Sequence, residues 1–128
     1  MKEKVKYALN SFESAFERLK ESVEIAVDEL DRDGVIQRFE FTFELLWKVL
    51  KIFLEEEGII CKTPKECLKE AFKINWIDGE KIFLTMLEDR NKTSHIYDKS
   101  VAEEIFGRIK EKYAGAIEKV AEKLREKR

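Results

Sequence analysis

Apolar residues recur along this chain at steps of three and four, the repeat of a helix that buries one face. Phe12, Phe16, Leu19, Val23, Ala26 and Leu30 form one such stripe, predicting a first helix from about Lys4 to Leu30 that Asp31-Arg32-Asp33-Gly34 breaks. A second helix follows from about Val35 to Glu57, stopped by Gly58. It carries two stripes: Phe39, Phe43, Leu46, Leu50 and Phe53 on one side, and Phe41, Leu45, Val49 and Ile52 on another. Two stripes predict a helix covered on most sides, either central in a bundle or at a subunit interface.

Thr63-Pro64-Lys65-Glu66 is a capping box with proline at the first helical position. It opens a short third helix, faced by Leu68, Ala71 and Phe72, that ends near Asn75. Asp78 is the expected N-cap of a fourth, carrying Ile82, Phe83, Met86 and Leu87 and leading straight into Arg90. A fifth begins near Asp98 or Ser100, the latter making a capping box with Glu103. Its core stripe is Val101, Ile105, Ile109, Ala116, Val120 and Leu124, with Phe106, Tyr113 and Ile117 beside it. The expected architecture is all-α: an antiparallel up-and-down four-helix bundle plus one short helix, in a single domain over residues 1–128.

Composition agrees with long helices and few turns, since the chain has five glycines and one proline. Charged residues make up 41 %, well above the usual ~25 %. Net charge is −2, so there is no overall basic excess of the kind generic nucleic-acid binders carry, and DNA is not an expected partner. The charge is unevenly placed. Residues 1–33 hold six basic and nine acidic side chains, whereas 108–128 hold eight basic and four acidic. That basic end reads either as a charge-mixed solvated surface or as a rim beside a phosphate site. Cys61 and Cys67 lack the further ligands a zinc site needs, so no metal and no cofactor are expected; both read as buried or half-buried thiols in a reducing compartment. The charged start Met1-Lys2-Glu3-Lys4 precedes no apolar run, and no stretch approaches the ~20 apolar residues of a membrane span. The expectation is a cytoplasmic protein.

The chemistry concentrates in Arg90-Asn91-Lys92-Thr93-Ser94-His95-Ile96-Tyr97, which holds the chain's one histidine. Histidine moves protons near neutral pH. Arginine offers a permanently charged fork to phosphate oxygens, and tyrosine a hydroxyl open to modification. Each residue also has an ordinary structural reading: a capping imidazole, an ion-paired guanidinium, a packed ring. Together they point to phosphate chemistry. On one unbroken helix, at ~100° per residue, Arg90 and His95 would point about 140° apart. They share a ligand only if the helix ends near Thr93 or Ser94, or if a second subunit supplies the missing group.

RNKTSHIY resembles the R-x4-H-x-Y signature of HEPN domains. Upstream, GVIQRFEFTFELLWK, from Gly34 to Lys48, is similar to a helix motif of one HEPN branch. That branch is the nucleotidyltransferase substrate-binding family, close to the HepT-type toxins. The resemblance implies a HEPN-like, homodimeric helical bundle whose partner is a minimal nucleotidyltransferase. It implies metal-independent endoribonuclease chemistry with Arg90 and His95 catalytic, Asn91 and Lys92 against the substrate, and adenylylation of Tyr97 silencing the toxin. RNA or a nucleotide would be the ligand. Two further readings stay open: a non-catalytic subunit presenting nucleotide or substrate to the nucleotidyltransferase, and a plain dimeric scaffold. Glu40, Glu44 and Arg38 in the upstream motif read as buried polar or dimer-contact groups rather than catalysts, and Trp47 and Trp76 as core or rim.

Overall fold

The computed structural model describes residues 2–93 and 98–127. Its elements are α1 (Glu3–Ile25), α2 (Glu29–Glu56), α3 (Pro64–Lys73), α4 (Glu80–Thr93), α5 (Lys99–Arg108), a π-helical turn (Ile109–Tyr113) and α6 (Ala114–Lys127), with no strand among the described residues. α5, the π turn and α6 run on without leaving helical backbone, so they form one rod. α1, α2, α4 and that rod are the four long members of an up-and-down bundle, and α3 is the additional short helix. Lys2 and Lys4 at the start of α1 pair with Glu56 and Glu55 at the end of α2, so these two helices run antiparallel. Asp78 before α4 meets Lys123 near the end of α6, which makes α4 and the rod antiparallel too.

α2 is central. It packs against α1, α3, α4 and α5. Its first stripe, Phe39, Phe43, Leu46, Leu50 and Phe53, is buried throughout. Buried Thr42 sits 2.7 Å from the Arg38 carbonyl and 3.3 Å from that of Ala15, stitching α2 to α1. The second stripe divides. Val49 is fully buried and Leu45 and Ile52 half-buried, but Phe41 is 63 % exposed. On α1, nearer the other end of the α1–α2 pair, Tyr7 is 76 % exposed.

Several boundaries differ from the periodicity reading, each for a local reason. The first helix stops at Ile25, not Leu30, and Asp31 to Gly34 lie inside α2. The break comes earlier because Ala26 and Asp28 are extended and Asp28 caps α2, accepting from the Asp31 amide. Leu30, read as core, is consequently exposed. α4 starts at Glu80 rather than at an Asp78 cap, since the Asp78 carboxylate is taken by Lys123, 2.7 Å away. Asp98, not Ser100, caps α5. In the final rod the π turn shifts the register, so Tyr113 and Ile117 enter the core in place of Ala116. Thr63 caps α3 as expected, Gly58 ends α2 with φ +79°, and Asn75 follows α3 with φ +64°.

The cysteines are a correction of chemistry. Cys61 and Cys67 are not thiols but form a buried disulfide that ties the approach to α3 onto its first turn. The capping box brings position 67 back over the chain that enters the helix, and this places the two sulfurs in reach. No helix among the described residues is long and apolar enough to cross a membrane.

Candidate functional site

Arg90 lies in the last described turn of α4 and is half-buried. Its Nη2 donates to Glu44 Oε2 on α2, and its Nη1 donates to Asn91 Oδ1 at 3.2 Å. Lys48, one turn on from Glu44, brings its ammonium to 3.4 Å from the other carboxylate oxygen. Burial opposes ionisation of Glu44, but the Trp47 indole, Arg90 and Lys48 outweigh it and hold the carboxyl below its ordinary range. The buried indole Nε1 reaches hydrogen-bond geometry to no acceptor among the described residues. Sequence reading placed Glu44 among structural polar groups. Its contact with Arg90 joins it to the candidate site.

The neighbouring residue points the other way. Asp89 is 1 % exposed. One of its oxygens accepts from Arg108 Nε at 2.8 Å, the other from Arg108 Nη2 at 2.9 Å, and the Tyr113 hydroxyl donates to it as well. Lys92 brings its ammonium to 3.8 Å on the exposed side. The Asp89 hydrogen bond raises the Arg108 pKa further above its already high value. Burial, seconded by Asp89 and opposed by Arg108, raises that of Tyr113. The Tyr113 ring also stacks on Phe39 of α2, centroids 5.5 Å apart.

The π turn makes this convergence possible. Residues five apart on a regular α-helix, such as Arg108 and Tyr113, point about 140° from each other. Closing the turn with i→i+5 bonds, as the Ala114 amide does to the Ile109 carbonyl, brings residues five apart onto nearly the same face. Both side chains then reach one carboxylate. Sequence reading missed this cluster. Its signal was Asp89 itself, an acid three residues beyond Met86 on the buried face of α4.

His95 and Tyr97 lie outside the described residues. Of the expected site, the structure places Arg90 and its neighbours Asn91 and Lys92, both exposed, at the end of α4. Next to them is a cavity of about 210 Å³ between the start of α2, the end of α4 and the start of α5. Lys92, Thr93, Asp98 and Glu40 contribute to its wall, and Ile36 and Ile105 to its floor. Three of the eight basic residues at the end of the chain are ion-paired among the described residues: Arg108 with Asp89, Lys123 with Asp78, and Arg125 with Glu13. Among the described residues no three His, Cys, Asp or Glu side chains gather closely enough to hold a metal ion.

A family model described as "Nucleotidyltransferase substrate binding protein like" matches residues 7–126. The chain belongs to that family. It is 32 % identical over 81 residues to the Haemophilus influenzae protein named "Probable ribonuclease HepT", a match covering 59 % of this chain and 56 % of that one. The chain thus matches little more than half the length of this curated relative. A Thermus thermophilus crystal structure, ttk003001694, superposes with a TM-score of 0.83 at 36 % identity, covering 89 % of this chain and 98 % of the other. HI0074 from Haemophilus influenzae, described as revealing the fold of a substrate-binding domain of a nucleotidyltransferase, gives 0.80 at 25 % identity, covering 91 % and 98 %. The family's helical fold is therefore the fold of this chain.

Proposed function

We propose that this family member is a HepT-type toxin: a metal-independent endoribonuclease partnered by a minimal nucleotidyltransferase, which neutralises it by adenylylating Tyr97. The observation that supports the reading is Arg90, held by Glu44 in the last turn of α4, inside the family's signature octet, with Lys92 and Thr93 of the same turn lining a cavity.

In the proposed reaction the ribose 2′-oxygen attacks the adjacent phosphorus. A 2′-O–P bond forms and the P–O5′ bond breaks. The 2′-hydroxyl proton passes to a base, a second proton reaches the departing 5′-oxygen, and the products are a 2′,3′-cyclic phosphate and a 5′-hydroxyl. His95 moves protons, Arg90 stabilises charge on the phosphate oxygens, and Asn91 and Lys92 hold the substrate. Two proton-transfer groups are wanted and each chain has one histidine. A homodimer supplies the second. Support for such a dimer comes from α2: exposed Phe41 lies three residues before Glu44, so this apolar ring and the Arg90 pair share one outward face. Pairing two copies through that face brings two motifs towards the axis.

The test is induced expression with and without a minimal nucleotidyltransferase partner. Growth arrest by the wild type alone, relief by His95→Ala, and mass gain at Tyr97 when partner and ATP are supplied are the expected results. Unimpeded growth together with tight binding to the partner would replace this reading with the non-catalytic subunit.

A further inference from the structure

We propose that Asp89, Arg108 and Tyr113 form a positioning clamp that sets the rotation of the last turn of α4 and thereby delivers Arg90 to the phosphate; this rests on the ribonuclease reading for what Arg90 does, not for where it is held.

Consecutive side chains on a helix are turned by ~100° from each other. Fixing Asp89 inward therefore fixes the direction of Arg90, and that direction is towards Glu44. Helix ends fray unless something holds them. Beyond Met86, the fully buried side chain of α4 is Asp89 and no apolar one. The last turn is anchored by a carboxylate where a leucine would ordinarily serve. A buried ionic cluster is a poor route to stability, since desolvating the charges offsets most of their attraction. What it supplies is geometry. Two parallel N–H bonds from one guanidinium fix the plane of the carboxylate, and the Tyr113 hydroxyl adds a third direction. The π turn belongs to the same device, because without it Arg108 and Tyr113 face different sides of the rod. The clamp is braced in turn by Phe39, on which the Tyr113 ring stacks; Phe39 and Glu44 are both on α2, so the same helix supports the clamp and receives Arg90.

The experiment uses Asp89→Asn, which keeps the shape and removes the charge, and Tyr113→Phe, which removes a hydroxyl and keeps the stacked ring. Two readouts are taken on protein shown to be folded by circular dichroism. The first is the Glu44 carboxyl titration by carbon NMR, which reports the nearness of Arg90 whether or not the protein is an enzyme. The second is cleavage of a mixed-sequence fluorogenic oligoribonucleotide. The Glu44 midpoint is expected to rise towards that of an ordinary glutamate in Asp89→Asn, and by less in Tyr113→Phe. In Asp89→Asn kcat is expected to fall about tenfold or more with KM changed by less than about twofold. A merely structural role would leave folded variants with wild-type titration and kcat. An unchanged Glu44 midpoint in folded Asp89→Asn overturns the clamp, and if that variant does not fold, an unchanged midpoint in Tyr113→Phe does the same. A wild type that cleaves nothing while the Glu44 midpoint still shifts ends the ribonuclease reading and leaves the clamp standing.

Discussion

Glu44 on α2 holds the guanidinium of Arg90 on α4 across 46 positions of sequence. The pair joins the two segments in which the family resemblance lies, the upstream helix motif and the signature octet. Glu44 thereby restrains a long, rotamer-rich side chain.

Removing that carboxylate is expected to separate activity from stability. Both side chains are about one-third exposed, so Glu44→Gln should cost no more than about 1 kcal/mol in urea unfolding. Under the proposed ribonuclease reading, RNA cleavage at saturating substrate is expected to drop far more, by about tenfold. Equal, small effects on both would assign the pair to surface decoration.

The same carboxylate sets a pH dependence. Its folded pKa is lowered, so its stabilising contribution is present above the ordinary glutamate pKa of about 4.3 and is lost as pH falls through the lower folded value. Stability of the wild type should decline more steeply than that of Glu44→Gln over that acidic interval. Parallel curves from pH-dependent urea titrations would count against the linkage.

The interior should respond to Asp89 in a characteristic order. Asp89→Ala leaves the Arg108 charge and the Tyr113 hydroxyl without their acceptor, and is expected to cost about 3 kcal/mol, moderated because Arg108, 29 % exposed, regains some water. The triple variant Asp89→Leu, Arg108→Met, Tyr113→Phe removes every member together and should be more stable than the single change. Chemical unfolding of the two proteins settles the ranking.

The Cys61–Cys67 link closes a short loop, so its loss should lower stability by about 2 kcal/mol under the chain-entropy account. Melting with and without reductant, compared with Cys61→Ser, measures this. A melting point indifferent to reductant would mean that the bond contributes nothing to the fold.

Phe41→Asp places a charge at a position of α2 that is 63 % exposed. Helicity should be retained; under the proposed dimeric ribonuclease, sedimentation shifts from dimer to monomer and RNA cleavage disappears. Full cleavage by a monomer would refute the shared-cleft arrangement.

Sequence and tertiary structure divide the decisions along physical lines. Periodicity was enough for the all-helical class, the short capped third helix and an α2 covered on most sides, because each depends on neighbours within a few turns; packing decided that α2 is central. Local competition moved the boundaries: Asp28 prevailed over Gly34 as the stop between α1 and α2, since a capping side chain satisfies amides that a glycine leaves bare. The signature octet was readable as a string, yet nothing in it said that Glu44 would grip Arg90 or that Asp89 would turn inward. Those contacts span 46, 19 and 24 positions, and the last two need a π turn that no three-or-four spacing announces. The disulfide is similar in kind: two cysteines six apart look like ordinary thiols until the capped start of α3 folds one back onto the other. Side-chain chemistry is written locally. Which groups meet is decided by packing, because the helices bring distant residues together only once their apolar faces have chosen partners.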